Sequence, residues 1–166
     1  MRLCINTTMD CNLRCKYCYL KHKNYPKKYM DKDCAFKFIK LCNKLYGRVD
    51  IHFYGGEPLL NYNIIKNIIK KWGNKLDYII TTNGTLIDND KTKLFITNNF
   101  EVHVSFDGLP TIQNFQRPTS TKHPSSFVLD KIKMMKNYPN LTVNAVVSKK
   151  SVYKLYESYK FLIEKG

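Results

Sequence analysis

Three of the chain's six cysteines fall within eight residues, in Cys11-Asn-Leu-Arg-Cys15-Lys-Tyr-Cys18. The N-terminus opens into an alternating strand rather than the basic, apolar and small-residue succession of a signal peptide, so the expected location is the cytoplasm. In a cytosolic protein such a cluster favours metal binding over disulfides. Three thiolates can hold a soft metal. A structural zinc site asks for four ligands, and His22, four residues after Cys18, would complete a Cys₃His set. A cubane iron–sulfur cluster normally takes four cysteines, so three would leave one iron open to hold a substrate and hand it an electron. Local spacing leaves both readings standing. Cys4, on an alternating strand, and Cys34 and Cys42, each four residues from Phe38 on a helical pattern, read as buried thiols acting as small hydrophobes.

The hydrophobic pattern around these residues changes period repeatedly. Strands are expected at 2–7, Val49–Tyr54, Asp77–Thr82, Glu101–Phe106 and Leu141–Val147. Helices are expected at 32–46 behind Asp31 and ended by Gly47, at 62–72 ended by Gly73, and at 89–98 behind Asp88. Two more follow, at 126–137 behind Ser125 and at 152–165 behind Ser151, with a longer loop after the fourth strand. In the first helix Phe36, Ile39, Cys42 and Tyr46 share one face. Five strand–helix units in succession argue for an α/β fold with a parallel sheet, its short apolar strands covered by helices.

On this map the unusual residues share one edge. The cysteine cluster follows strand one, and Gly55-Gly56-Glu57-Pro58 follows strand two. Thr81-Thr82-Asn83-Gly84 ends strand three, Ser105-Phe106-Asp107-Gly108 ends strand four, and Ser148 ends strand five. Ligands bind at the carboxyl ends of strands in β/α barrels and open α/β sheets. One site built around the cysteines is therefore expected.

With the order established, Cys11-x-x-x-Cys15-x-Tyr17-Cys18 resembles the signature of radical S-adenosylmethionine (SAM) enzymes. Phe53-Tyr54-Gly55-Gly56-Glu57-Pro58-Leu59 resembles the family's "GGE" motif, and Thr82-Asn83-Gly84-Thr85 and Ser105-Phe106-Asp107-Gly108 resemble its later strand-end motifs. The likeness is greatest to the branch that modifies peptides and proteins, such as anaerobic sulfatase-maturing enzymes and peptide thioether-forming maturases. It spans Met1 to about Val147 and sets the zinc reading aside.

The resemblance implies a partial β/α barrel and the following site. Cys11, Cys15 and Cys18 bind a 4Fe–4S cluster, and SAM chelates the fourth iron. The backbone near Tyr17 meets the adenine. Gly55, Gly56 and Glu57 receive the methionine ammonium, as close backbone approach and a carboxylate would allow. Ser105 and Asp107 position the ribose or carboxylate end of SAM, and Asn83 lines the same edge. Arg117 is a further carboxylate contact, although Gln113-Asn114 replaces the His-Asp pair that often precedes it. An electron donor of the flavodoxin or ferredoxin type and a peptide or protein substrate are the implied partners, with 5′-deoxyadenosine chemistry on a substrate hydrogen. Each residue also has a plainer reading: turns for Gly55-Gly56, Asn83-Gly84 and Asp107-Gly108, a dipole-complementing carboxylate for Glu57, and loop packing for Tyr17.

The family's core usually has six units and often an auxiliary-cluster domain; residues 1–166 read as five units in one domain, and no cysteine follows Cys42. The unpaired edge of the fifth strand is expected to be covered by a partner or by self-association. The formal net charge is +15, yet only 4 of the 28 basic residues are Arg, and Lys is spread along the chain. That favours a solvated surface over nucleic-acid binding, with an acidic peptide or RNA as the alternative partner. An activase, an RNA-modifying enzyme and a non-catalytic cluster-binding core are the competing functions. No run approaches the ~18 apolar residues of a membrane span.

Overall fold

The computed structural model describes residues 1–22, 28–119 and 124–165, apart from the side chains of Lys21, His22 and Pro124. His22 as a zinc ligand and Gly166 as the stop of the last helix therefore lie outside the described part. Five strands, β1 (Arg2–Thr8), β2 (Asp50–Gly55), β3 (Asp77–Thr82), β4 (Glu101–Ser105) and β5 (Leu141–Asn144), form one parallel sheet in the order β1-β2-β3-β4-β5. Among the described residues the α-helices are α1 (Lys32–Tyr46), α2 (Tyr62–Trp72), α3 (Asn89–Thr97), α4 (Pro110–Gln116), α5 (Pro124–Met134) and α6 (Leu155–Lys165). Sequential strand order with intervening helices is the topology of an opened β/α barrel.

Strand register lines up one apolar face. Ile5 pairs with Phe53, which pairs with Ile80, and Leu3 pairs with Ile51, which pairs with Tyr78. These side chains, with Val102 and Val104, share a buried core with Ala35, Ile39 and Cys42 of α1, the isoleucines Ile64, Ile65 and Ile68 of α2, and Phe95 of α3. Phe53, Tyr78 and Phe100 stack with centroids 5.1–6.2 Å apart. Aspartate caps start two of the helices: Asp31 accepts from the Cys34 N–H, and Asp88 from the Lys91 N–H.

Apart from the buried Ile79 and the exposed Cys4, the opposite sheet face is largely polar. Asn6, His52, Tyr54, Thr81, His103, Ser105 and Asn144 alternate with the core residues and are exposed or half-buried. Among the described residues the strands are thus covered by helices on one face, as in the expected partial β/α barrel. Cys4 lies on this open face and is exposed; Cys34, in the first turn of α1, is exposed as well. Of the three cysteines expected to be buried, only Cys42 is. Tyr46, expected inward, is also exposed.

Four boundaries differ from expectation for local reasons. The loop after β4 contains α4, opened by Pro110 at its first position, where a missing N–H costs nothing. β5 stops at Asn144, because two residues later the Val146 N–H leaves the ladder for Asp107 Oδ1 at 2.9 Å. α5 starts at Pro124, which places Ser125 inside its first turn, and it ends at Met134, beyond which Met135 and Lys136 bond three residues back. Before α6 a 3₁₀ turn covers Val152–Lys154; Ser151 Oγ accepts from the Ser148 N–H instead of capping the helix. No helix among the described residues is long and apolar enough to cross a membrane.

Candidate functional site

The loop after β1 is fixed at both ends. At its root the Thr8 hydroxyl accepts from the Asp10 N–H at 3.0 Å, and the Asp10 carboxylate from the Cys11 N–H at 3.0 Å. Leu13 is buried, and its N–H points to Cys11 Sγ at 3.4 Å. Farther along, the Arg14 N–H donates to the Pro118 carbonyl at 3.2 Å and the Lys16 N–H to the Gln116 carbonyl at 2.8 Å. A tight turn then closes from the Cys18 N–H to the Cys15 carbonyl at 3.1 Å. The cysteine loop is therefore docked on the end of α4 as well as on β1.

The Gly55-Gly56 pair lets the β2 loop meet this root. Gly55 has φ +122°, and a Cβ there would lie 2.3 Å from the Thr8 carbonyl oxygen. A Cβ on Gly56 would lie 2.0 Å from the Asp10 carbonyl oxygen. Backbone bonds follow at that close approach, from the Gly56 N–H to Thr8 O at 2.9 Å and from the Glu57 N–H to Asp10 O at 2.8 Å. The glycines are required by chain packing beneath the cysteines, whatever binds above them.

A cavity of about 520 Å³ opens over the carboxyl ends of the strands. Cys11, Cys15 and Cys18 line it together with Tyr17, Gly55, Gly56, Asn83, Ser105 and Arg117. Its size falls in the usual range of small-molecule and cofactor sites. Asn83 is tied to the cysteine loop: its amide donates to Asn12 Oδ1 at 2.8 Å and approaches Cys11 Sγ at 3.8 Å.

Two sequence-predicted residues sit behind the lining. Glu57 is fully buried, and its carboxylate accepts from the Leu59 N–H at 3.1 Å, Thr82 Oγ1 at 2.7 Å and the Asn83 N–H at 2.8 Å. Burial without a cation pushes its carboxyl up to about 6, the three donors offsetting part of the rise. Asp107 is buried against Arg117, whose Nε and Nη2 each donate at 3.0 Å. The same carboxylate accepts from Tyr17 Oη at 2.7 Å, Gln116 Nε2 at 2.9 Å and the Val146 N–H at 2.9 Å. Asp107 thus joins the cysteine loop, α4 and the segment after β5. Burial, with a smaller contribution from Asp107, pushes the Tyr17 hydroxyl well above its ordinary value.

Burial also raises the Cys11 thiol, and pushes Cys15 up to about 11 although Arg117 opposes the shift. Cys11 and Cys18 both act electrostatically on Cys15, so the three sulfurs sense one another. Among the described residues no three Cys, His, Asp or Glu side chains converge as ligands of a single ion would. A cubane asks for less convergence, since each thiolate meets a different corner iron. Three free thiols lining a cofactor-sized cavity, together with a glycine turn and Arg117, fit a cluster with SAM next to it.

Sequence reasoning missed Asn144, which lines the cavity opposite Ser105 in register, and the amides Gln113 and Gln116 of α4. Gln113 accepts from the Asp107 N–H at 2.8 Å, and Gln116 Nε2 also donates to the Val146 carbonyl at 3.0 Å. Pro110 followed by Gln113, Gln116 and Arg117 at helical spacing was the available signal.

The geometry agrees with what the chain is similar to. An uncharacterized protein of Methanocaldococcus jannaschii is 35% identical over 99% of this chain and 59% of its own length. A cysteine-type anaerobic sulfatase-maturating enzyme of Clostridium novyi is 30% identical over 92% of this chain and 45% of its own. The solved structure of native anSMEcpe with bound AdoMet and Kp18Cys peptide superposes with a TM-score of 0.83 at 28% identity, over 99% of this chain and 48% of that one. The chain spans about half the length of the relatives it matches. The Radical SAM superfamily model matches residues 5–162, which takes in all three cavity-lining thiols, the glycine pair and the β4–α4 latch. With sequence, sheet topology and cavity in agreement, the chain belongs to the Radical SAM superfamily.

Proposed function

We propose that this chain binds a 4Fe–4S cluster and SAM and acts on a peptide or protein side chain. The observation that carries the reading is that Cys11, Cys15 and Cys18 line a single cavity together with Gly55, Gly56, Asn83 and Ser105. When bound together, cluster and SAM supply a 5′-deoxyadenosyl radical, formed by one-electron cleavage of the sulfonium, that abstracts a substrate hydrogen.

In this reading the three thiolates hold three corners of the cluster. Tyr17 ties the loop to Asp107 through its hydroxyl, and the backbone beside it would meet the adenine. The backbone of Gly55 and Gly56 receives the methionine ammonium. Glu57 works from behind, anchoring Asn83 and adding negative potential under that ammonium. Ser105 orients the ribose. Arg117, its fork held by Asp107, faces the carboxylate of SAM or of the substrate. A peptide substrate is supported by the bound peptide in the solved relative and by the sulfatase-maturating relative.

Anoxic reconstitution with iron and sulfide, followed by SAM and a chemical reductant, tests the reading. Deoxyadenosine production is expected, and incubation with peptides carrying Cys or Ser should give a substrate mass change. Cluster loading without deoxyadenosine would leave a cluster-binding core and overturn the catalytic part.

A further inference from the structure

The three segments that build the cavity turn a second set of residues outward. Cys15, Tyr17 and Cys18 line the cavity, but Lys16 between them is exposed and outside the lining. Arg117 and Val146 line it, while Phe115 and Lys150 do not. Those outward residues meet: Lys16 Nζ lies 3.2 Å and Lys150 Nζ 4.7 Å from the centroid of the Phe115 ring. The meeting is braced from below, where the Lys16 N–H bonds the Gln116 carbonyl and the Ser148 hydroxyl bonds the Gln116 amide oxygen. Phe115 is 37% exposed and Val147 49% exposed, and exposed Lys149 precedes Lys150 in the chain. Neither Lys16 nor Lys150 has a carboxylate partner among the described residues.

We infer that the Lys16–Phe115–Lys150 patch is the docking surface for a small acidic one-electron carrier protein. The inference rests on the proposed function, because cleavage of the sulfonium consumes one electron that neither SAM nor the cysteines provide. The patch has the make-up such a contact needs: an exposed ring at the centre for desolvation, and lysines at the rim for attraction of an acidic partner. Its location is close to the metal-binding thiols, since Lys16 is one peptide, ~3.8 Å between Cα atoms, from Cys15. One electron leaves the carrier, which is oxidised by one, and enters the cluster, which is reduced by one; no bond forms or breaks and no proton moves.

The test compares reduction of the cluster-loaded chain by flavodoxin hydroquinone, an acidic carrier, with reduction by photoexcited 5-deazariboflavin, which is too small to need docking. The second-order rate with flavodoxin should fall about tenfold or more in Lys150→Glu and by less in Lys150→Gln, and should weaken with salt. Lys70→Glu, an equal charge change on α2, should stay within about twofold, and deazaflavin reduction should be the same in all. Calorimetric binding of oxidised flavodoxin to the chain reads the same patch even if no cluster loads. Equal losses in Lys150→Glu and Lys70→Glu would reduce the patch to a general field and overturn the inference. So would an unchanged flavodoxin rate in Lys150→Glu with loss of tRNA binding instead. Absence of deoxyadenosine with deazaflavin and SAM would count against the proposed function alone, since the carrier rates are read without turnover.

Discussion

Glu57 and Asp107 are two buried carboxylates held in opposite ways. Glu57 has three hydrogen-bond donors and no cation, and its carboxyl is pushed up from 4.5 to about 6 by burial. The folded chain then binds the proton more tightly than the unfolded chain. Stability from this group is therefore full below pH 4.5 and declines as pH rises to about 6, by about 2 kcal/mol in all. Urea titrations across that window should show the decline in the wild type and its absence in Glu57→Gln; identical pH dependence in both would contradict the assignment. Asp107 has Arg117 as a bidentate partner plus three further donors. Asp107→Ala strands the Arg117 guanidinium in a buried place and should cost about 3–5 kcal/mol in the same assay. A loss under about 1 kcal/mol would mean water replaces the carboxylate without strain.

At the level of elements, the cysteine loop is seated on two supports, the glycine turn after β2 and the end of α4. Gly56→Ala puts a methyl 2.0 Å from the Asp10 carbonyl oxygen, so the loop must move. Iron bound after reconstitution should fall severalfold in Gly56→Ala while far-ultraviolet circular dichroism stays near wild type; full loading would show that the loop has slack. Cys15→Ala should abolish loading and Cys34→Ala should not, since Cys34 is exposed on α1, away from the cavity lining. The glycine turn was legible because Gly55-Gly56-Glu57 is a motif at a strand end. The other support, α4, was not legible as a helix. It has only two turns, and its buried side chains are the amides Gln113 and Gln116 rather than an apolar stripe, so hydrophobic periodicity has nothing to register. Cys4 was misplaced for a related reason. Alternation in β1 tells that one face is buried, but not that the other face of the same sheet is left open.

Across the whole molecule the order of elements was readable from repeated changes of period, and the shared strand edge located the site. The unpaired edge of β5 was expected as well; what lay hidden was how much apolar surface the last helix leaves outward beside it. Among the described residues β5 pairs only with β4, and α6 with the 3₁₀ turn before it leaves Tyr153, Tyr156, Tyr159 and Ile163 outward, each more than 60% exposed. Such a surface next to an open strand edge should drive weak association despite the net charge of +15. Sedimentation velocity should show the mean mass rising with concentration at moderate salt, less so in Tyr156→Glu; an unchanged monomer throughout would contradict this. The central claim is that three thiolates hold an iron cubane whose free corner takes SAM. Its most direct measurement is iron, acid-labile sulfide and deoxyadenosine on anoxically reconstituted chain, side by side with Cys15→Ala. The account predicts about four iron and four sulfide per chain, with deoxyadenosine and methionine in equal amounts, all lost in Cys15→Ala. Stoichiometric zinc with no labile sulfide and no deoxyadenosine would contradict it.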